Sequence, residues 1–372
     1  MEQLSWQIPL FLKIFFAIFL LAGLVGTLVS HSSSALGIYK AYFIEPFLFF
    51  IVVFDYLVTT KNFRLVLYSL IGSGIWIALI AIANQLLHYN PGNPAEFLQR
   101  ARSSGVYSTS NAVGLLIGPL SVLLFGYILS LKNGKKPLKN EFKYNLIALL
   151  ILLGGLVSSG SRGAYLGIFA ALIFFLIYFL YLKMSSKVRN FSDKLFILLI
   201  IVFFSAIVLF FINISTITKI TLNNKEKLPA NLVSRVCLWE GSVRAIKLEP
   251  VTGVGLSNFQ AVQVKEHTCS SEKSIYPHNI FLNFWSETGV FGLISFIAIC
   301  GYCFFKLVGL KKTDYFNIAL AAVFIEILFH GLLDVPYFKN DLSVLFWTIV
   351  ALSLWRIKVF TDQEKQESPL RQ

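Results

Sequence analysis

Three polar residues stand out in a chain that is otherwise strongly apolar, and each is of a type that can carry chemistry. Arg162 lies in a serine–glycine turn, Arg235 lies in a stretch with a helical pattern, and His278 follows a proline. An arginine binds phosphate through two parallel hydrogen bonds. An imidazole with a pKa near neutrality can accept the proton of a hydroxyl group. These residue types therefore indicate anion binding and proton transfer.

Arg162 occurs in the sequence GGLVSSGSRGAYLG, directly after Ser161 and directly before an apolar run. Small residues allow a ligand to approach the backbone, and the free N–H groups at the start of a helix carry a positive partial charge. An arginine added at that point makes an anion site. The alternative is an interfacial arginine that extends its side chain to lipid headgroups. Both interpretations fit the residues.

A second candidate element is the helix predicted over Leu232–Leu248, which begins after Pro229. Helical spacing puts Arg235 and Trp239 on one face of this helix. Arg244 is nine positions from Arg235 and therefore points to roughly the opposite face. The alternative is a helix lying on the membrane surface, whose arginines pair with lipid phosphates and whose tryptophan lies at headgroup level.

His278 stands between Pro277 and Asn279, where the chain becomes apolar again. We expect it at the outer mouth of a membrane span, where an imidazole is a candidate general base. A single histidine with a structural role is the alternative, and it is the more frequent case among lone histidines.

Ionisable residues also occur inside predicted spans, where burying a charge is costly and often accompanies function. Glu326 and His330 are one helical turn apart, and Glu45 and Asp55 lie on an earlier span. Such residues can serve function or form an internal hydrogen-bonded pair. No set of His, Cys, Asp and Glu residues has the spacing of a metal site, and no phosphate-binding glycine loop is present. We therefore predict no metal and no cofactor.

The composition indicates the fold class. Apolar residues make up 56% of the 372 residues and charged residues only 14%, against about 25% charged residues in soluble domains. Repeated apolar runs of about 18–25 residues predict an all-α, polytopic helical membrane protein. We predict about ten transmembrane helices, at about residues 8–30, 41–60, 65–87, 107–131, 144–158, 163–182, 194–212, 279–305, 316–333 and 341–357.

The charges between these spans predict their orientation. Eighteen lysines and arginines fall in one set of connections and only five in the short connections of the other set. The positive-inside rule makes the first set cytoplasmic, so both termini are cytoplasmic. The predicted divisions are seven helices in 1–212, an extracytoplasmic loop with short helices in 213–278, three helices in 279–357 and a cytoplasmic tail in 358–372. Because topology accounts for most of the net charge of +13, no nucleic-acid partner is predicted.

The four cysteines divide into two pairs. Cys300 and Cys303 fall in a predicted span, whereas Cys237 and Cys269 fall in the long loop. Outside the cytoplasm the loop pair could form a disulfide. Two unpaired thiols fit the sequence equally well.

Three motifs and two flanking patterns follow one another along the chain: Ser159-Gly160-Ser161-Arg162-Gly163-Ala164; Arg235…Trp239 with Pro250…Gly253-Val254-Gly255…Asn258-Phe259; Pro277-His278-Asn279 with Glu287…Gly289…Gly292; and, in the flanks, Arg102 with Asn111-Ala112 and Gly331…Asp334…Phe346-Trp347. Each motif is loose by itself. Their order, spacing and shared outer-face placement resemble the O-antigen ligase and O-antigen polymerase superfamily, over about residues 31–357.

The resemblance implies an integral membrane glycosyltransferase that takes a glycan from undecaprenyl diphosphate at the outer face of the bacterial cytoplasmic membrane. It implies that Arg162 and Arg235 bind the donor diphosphate, that His278 activates the acceptor hydroxyl, and that transfer is metal-independent and inverting. The implied partners are the lipid-linked glycan, a glycolipid or glycan acceptor, and the lipid bilayer. Four further candidates for binding the donor or the glycan are Ser161, Arg102, Trp239 and Asn279.

Ligases of this superfamily pass the glycan to lipid A–core or a similar acceptor, whereas polymerases join it to another lipid-linked repeat. A single extended loop that carries both the helix and the histidine favours a ligase, and an O-antigen or exopolysaccharide polymerase is the alternative. A polysaccharide transporter is a third class, but the internal repeats typical of transporters are not evident. Family members commonly have more spans than are predicted here, so either an N-terminal helix hairpin is missing or the family varies there.

Overall fold

The computed structural model is all-helical in the residues that it describes. These are residues 8–94, 97–98, 101–133, 140–183, 220–221, 223–224, 227, 230–265, 274–310 and 314–367. Eight of the helices are long and apolar enough to cross a membrane, and a shorter apolar helix, Tyr315–His330, corresponds to a ninth predicted span. The predicted span at 194–212 lies outside the described residues. The prediction of a polytopic helical membrane protein is confirmed.

We name the helices in chain order. They are α1 Leu10–Leu28, α2 Ala35–Thr60, α3 Phe63–Leu86, α4 Ser110–Asn133, α5 Glu141–Ser159, α6 Arg162–Lys183, α7 Ala230–Leu248, α8 Phe259–Lys265, α9 Ile280–Val308, α10 Tyr315–His330 and α11 Asn340–Glu367. Local signals set several of these bounds. The Asn62 side chain accepts a hydrogen bond from the Leu65 N–H at the start of α3, and the Asp314 side chain accepts one from the Phe316 N–H at the start of α10. The last helix continues to Glu367, past the end predicted for the tenth span.

The chain divides into two compact units, and α1, α2, α6 and α9 contribute to both. The first unit comprises Met1–Leu20, Lys40–Leu172 and Ser295–Gln372. In it, α10 packs against α4, α11 packs against α2, and α5 packs against α3 and α4. In the apolar window of α4, 89% of the residues are buried, compared with 28% in α3 and in α5. Helix α4 is therefore an interior helix, whereas α3 and α5 present most of their surface outward.

An aromatic cluster around Trp347 stabilises the first unit. The rings of Phe16, Phe19, Phe47 and Phe50 have their centroids 5.0–5.7 Å from that of Trp347. Such ring pairs add about 0.5–1.5 kcal/mol each beyond the burial of their surface. The buried indole N–H donates to the Tyr337 hydroxyl at 3.2 Å, so burying this polar group leaves no unmet donor.

The second unit comprises Leu21–Tyr39 and Ile173–Ile294. Here the end of α1 contacts the chain that follows α7. The Leu256 N–H donates to the Gly26 carbonyl at 2.9 Å, and the Ser30 hydroxyl donates to the Leu256 carbonyl at 2.7 Å. A Cβ atom at Gly26 would lie 2.6 Å from the Glu287 carbonyl oxygen, so this close approach requires glycine.

Candidate functional site

The turn between α5 and α6 carries Arg162, and backbone geometry builds it. Gly160 ends α5 in the left-handed conformation, with φ 57°, where any side chain would introduce strain. The buried Ser161 side chain accepts a hydrogen bond from the Ala164 N–H at 3.4 Å, and α6 begins at Arg162. The Arg162 side chain is exposed. It therefore stands at the N-terminus of a long helix, which is a favourable place for an anion.

Arg102 joins this turn to two other parts of the first unit. Its Nε donates to the Ser159 carbonyl at 2.8 Å, and Nη2 donates to Asn111 Oδ1 at 2.7 Å. The Asn111 amide in turn donates to Asp334 Oδ2 at 2.9 Å. The bonds connect the segment before α4, the first turn of α4, the end of α5 at the α5–α6 turn, and the segment after α10. Arg102 was predicted to bind substrate, and the contacts observed here give it a part in positioning the turn.

A second polar contact fixes the chain between Arg102 and α4. The Tyr107 hydroxyl donates to Asp341 Oδ2 at 2.5 Å, and the Lys339 ammonium lies 5.4 Å from the centre of the Tyr107 ring. Burial raises the pKa of the Tyr107 phenol, and the nearby Asp341 carboxylate raises it further. The phenol therefore stays neutral and remains a hydrogen-bond donor over the physiological pH range.

The ionisable residues of the predicted spans fall into two environments. Glu326 and His330 are fully buried, and Nδ1 of the imidazole lies 3.1 Å from Oε1 of the carboxylate. Of the two interpretations offered by the sequence, the internal hydrogen-bonded pair matches this geometry. Glu45 is exposed and lies 3.4 Å from the Lys40 ammonium, and Asp55 is also exposed.

The helix predicted in the polar stretch is present as α7 in the second unit. Ser242 and Ala245 have no exposed surface, so one face of α7 is buried. Arg235 and Trp239 are half-buried. Arg244 is exposed and its guanidinium lies 2.8 Å from Glu240 Oε1. The two arginines therefore have different surroundings, as their spacing predicts.

The segment that follows α7 is hydrogen-bonded to an interruption of α9. Gly289 has the non-helical angles φ 71° and ψ −178° in the middle of this helix. The Val290 N–H donates to the Pro250 carbonyl at 3.3 Å, and the Ser286 carbonyl accepts from the Val254 N–H at 2.7 Å. Backbone groups on both sides of Gly289 thus bind the segment that follows α7.

His278 lies just before α9, in a backbone conformation that is uncommon for a residue with a side chain. Its φ is 50°, in the left-handed region, which costs on the order of 1 kcal/mol. Two neighbours hold it there. Pro277 is buried, and the Asn279 side-chain oxygen accepts hydrogen bonds from the N–H groups of Phe281 and Leu282 at 3.0 and 3.1 Å. Asn279, a predicted substrate-binding residue, therefore caps α9, and the half-buried His278 stands outside the helix.

A buried polar stripe along α9 was not predicted. After Asn279 along α9, the side chains of Asn283, Ser286 and Glu287 have no exposed surface. The sequence does contain a signal for this stripe, because Asn283 and Glu287 are four residues apart inside an apolar run and so share a helix face.

The cysteines of the described residues are in two chemical states. Cys237, on α7, is disulfide-bonded. Cys300 and Cys303, on α9, are free and buried. Cys269, the other cysteine of the loop, lies outside the described residues.

The predicted site residues thus fall into two groups, one in each unit. Ser161 and Arg162 form the turn that Arg102 holds in the first unit. In the second unit, Arg235 and Trp239 lie on α7, whereas the remaining two, His278 and Asn279, lie at the start of α9. Over the described part of the chain, no group of three or more His, Cys, Asp or Glu side chains is arranged to hold a metal ion.

Residues 147–297 match the family model described as O-antigen ligase. The resemblance to the O-antigen ligase superfamily is confirmed. The matched segment contains Arg162, Arg235 and His278. A search of curated proteins finds no match. Together with the apolar helices, the family match supports a multi-pass protein of the inner membrane that acts in polysaccharide biosynthesis as an O-antigen ligase or polymerase.

Proposed function

We propose that this protein is an O-antigen ligase-like glycosyltransferase that moves a glycan from undecaprenyl diphosphate to an acceptor hydroxyl, on lipid A–core or a similar molecule. The observation that carries the proposal is the O-antigen ligase match, because it spans Arg162, Arg235 and His278 within one segment of the chain. The superfamily resemblance gives these three residues their roles.

The chemistry of such a transfer suits these residue types. The acceptor oxygen attacks the anomeric carbon, and the bond from that carbon to the diphosphate oxygen breaks with inversion. His278 takes the proton of the hydroxyl. Arg162 and Arg235 stabilise the negative charge that develops on the departing undecaprenyl diphosphate. Because the leaving group is already activated, positioning and charge stabilisation are the main contributions required of the protein.

Two observations support an extracytoplasmic location for the segment that carries Arg235 and His278. The basic residues of the short connections are concentrated on the opposite side of the predicted membrane. Cys237 on α7 is disulfide-bonded, and disulfides persist in oxidising compartments and are rare in the cytosol. Both termini are then cytoplasmic.

The test uses the purified full-length protein in lipid nanodiscs, with a lipid-linked glycan donor and a lipid A–core acceptor. We expect Arg162→Ala, Arg235→Ala and His278→Ala each to lower the transfer rate by at least about 100-fold, the usual effect of losing one charge-stabilising group or a general base. Arg244→Ala is the matched control for Arg235→Ala, because both arginines lie on α7 and Arg244 pairs with Glu240. Its rate should equal that of the unsubstituted protein.

Full activity in Arg162→Ala would exclude diphosphate binding by this residue, and full activity in His278→Ala would exclude it as the base. A deletion strain separates ligase from polymerase. Loss of attached glycan with lipid-linked polymer retained indicates a ligase, whereas single repeats on the acceptor indicate a polymerase.

A further inference from the structure

A fully buried glutamate–histidine pair lies on α10, and stability alone does not account for it. Glu326 and His330 have no exposed surface and share one hydrogen bond of 3.1 Å. Glu326 Oε2 and His330 Nε2 have no hydrogen-bond partner among the described residues. Because both residues are on one helix, their hydrogen bond does not link two helices. Burying such groups costs free energy that an apolar pair of the same size would not cost.

The neighbouring helices make room for this pair by presenting glycine. A Cβ atom at Gly163 would lie 2.6 Å from Cδ2 and 2.8 Å from Nε2 of His330. At Gly167 it would lie 2.9 Å from Glu326 Oε1, and at Gly118 it would also collide with that oxygen. Gly163 and Gly167 lie in the first two turns of α6, and Gly118 lies on α4. The pair therefore fills a space bounded by glycines of two other helices, in an interior that is packed without slack.

One of these contacts reaches the candidate site. His330 packs against Gly163, the residue next to Arg162 at the start of α6. The place of this first turn therefore depends on where the imidazole lies. The hydrogen bond to Glu326 fixes the orientation of the ring, which without it would be set by packing alone.

We propose that the Glu326–His330 pair is a positioning device that sets the first turn of α6 and thereby the direction of the Arg162 guanidinium. The proposal rests on the proposed function, in which Arg162 binds the donor diphosphate. Glu326 and His330 do not touch the substrate. They act through the contact of His330 with Gly163.

Glu326→Leu keeps much of the side-chain volume and removes the hydrogen bond. We expect kcat to fall by about 10- to 100-fold, because a misplacement of about 1 Å can cost about 100-fold. The donor KM should change by less than about threefold. The thermal midpoint should fall, because Glu326→Leu leaves the buried imidazole of His330 without its partner, so the rates are compared at a temperature at which both proteins are folded. Glu326→Gln can still hydrogen-bond to the imidazole, so its kcat should lie within about threefold of the unsubstituted value, well above that of Glu326→Leu.

Gly163→Ala tests the contact from the other side, because its methyl group must displace His330. We expect a loss of kcat similar to that of Glu326→Leu. Gly72→Ala on α3 is the control, because a Cβ atom there meets nothing within 4 Å. Wild-type kcat in Glu326→Leu or in Gly163→Ala would overturn the proposal. An equal loss in Glu326→Gln and Glu326→Leu, with both folded, would also overturn it.

A spectroscopic readout separates this proposal from the proposed function. A nitroxide label on Arg162→Cys reports the mobility of the first turn of α6 without any glycan transfer. The label should become more mobile when Glu326→Leu is added, and the parent protein exposed to the same label supplies the background. If the unsubstituted protein transfers no glycan, the proposed function fails. An unchanged label spectrum in Glu326→Leu refutes the positioning device itself.

Discussion

Removing the Arg102 guanidinium should loosen the α5–α6 turn and lower glycan transfer. In Arg102→Leu, two hydrogen bonds from a charged donor disappear, at 2.8 Å to the Ser159 carbonyl and at 2.7 Å to Asn111. Bonds of this kind contribute about 1.5–3 kcal/mol each. Because Arg102 is only half-buried, the lower value applies, and the two bonds together contribute about 3 kcal/mol.

The free energy of these two hydrogen bonds predicts how far the rate of glycan transfer should fall. A difference of about 3 kcal/mol shifts the equilibrium between the ordered and the displaced turn by about 100-fold, at a factor of ten per 1.4 kcal/mol. The full factor appears in kcat/KM only if the displaced turn is inactive and becomes the major form. We therefore expect a loss of about 10- to 100-fold in Arg102→Leu. Arg102→Lys keeps the charge but cannot make both bonds in the same geometry, so a smaller loss of about 3- to 10-fold is expected.

The assay is transfer from a lipid-linked donor by the purified protein in nanodiscs, with kcat and the donor KM measured separately. A positioning role for Arg102 predicts that kcat falls, whereas direct binding of the donor predicts that KM rises with kcat unchanged. Lys40→Leu is the control, since Lys40 is an exposed cation of the same unit in a surface ion pair with Glu45. Such pairs contribute about 0–1 kcal/mol, so this variant should behave as wild type.

Two results would refute the reasoning. Wild-type kcat and KM in Arg102→Leu would show that the turn does not need the two hydrogen bonds. A raised donor KM with unchanged kcat would show that Arg102 binds the donor directly, as one of the candidate binding residues predicted from the sequence.

Two further predictions concern the backbone of α9 and the pH range of stability. Gly289→Ala should lower the thermal midpoint and the yield of folded protein, because φ 71° with ψ −178° strains a side chain by about 1–3 kcal/mol and the methyl group would collide with the Val251 carbonyl. Gly301→Ala on the same helix should be neutral, since the nearest atom to its Cβ would be 3.9 Å away. Equal midpoints for the two variants would contradict the structure. The pKa of Tyr107 is higher in the folded protein than in the unfolded chain, where it is about 10. The neutral phenol therefore contributes stability that is fully present below about pH 10 and is lost as the pH rises towards the pKa of the folded protein. Thermal midpoints measured from about pH 9 to 11 should therefore fall more steeply for wild type than for Tyr107→Phe, and parallel curves would contradict the raised pKa that burial and Asp341 give the Tyr107 phenol.

Local patterns predicted much of the fold. The positions of the described spans follow from runs of apolar residues, because a helix must satisfy its own backbone within the membrane. The α7 helix follows from its start and stop residues, and the separation of Arg235 from Arg244 follows from helical periodicity. The interruption of α9 was not predicted, because a single glycine inside an apolar run has the same local pattern whether or not the helix continues through it.

In the candidate site, too, some features were predicted from the sequence and others were not. Arg162, Arg235 and His278 were selected from residue type and motif order, and the family match covers all three. The roles of their neighbours required contacts that are far apart in sequence. Asn111 and Asp334, which share a hydrogen bond, are 223 positions apart, and Arg102 and Ser159 are 57 apart. Periodicity carries no information over such separations.

The polar stretch before His278 illustrates what the sequence predicted and what only the tertiary structure decided. By itself, the sequence predicted that this stretch does not belong in lipid, that it contains the helix α7 and that Arg235 and Arg244 of that helix face apart, since composition and a period of 3.6 residues are local properties. Only the tertiary structure decided that the chain after α7 binds the interruption of α9 and that Asn279 caps that helix. It also decided that a buried glutamate–histidine pair packs under the residue next to Arg162. The physical reason is that these arrangements depend on the close packing of distant segments, where one absent Cβ atom determines which groups can meet.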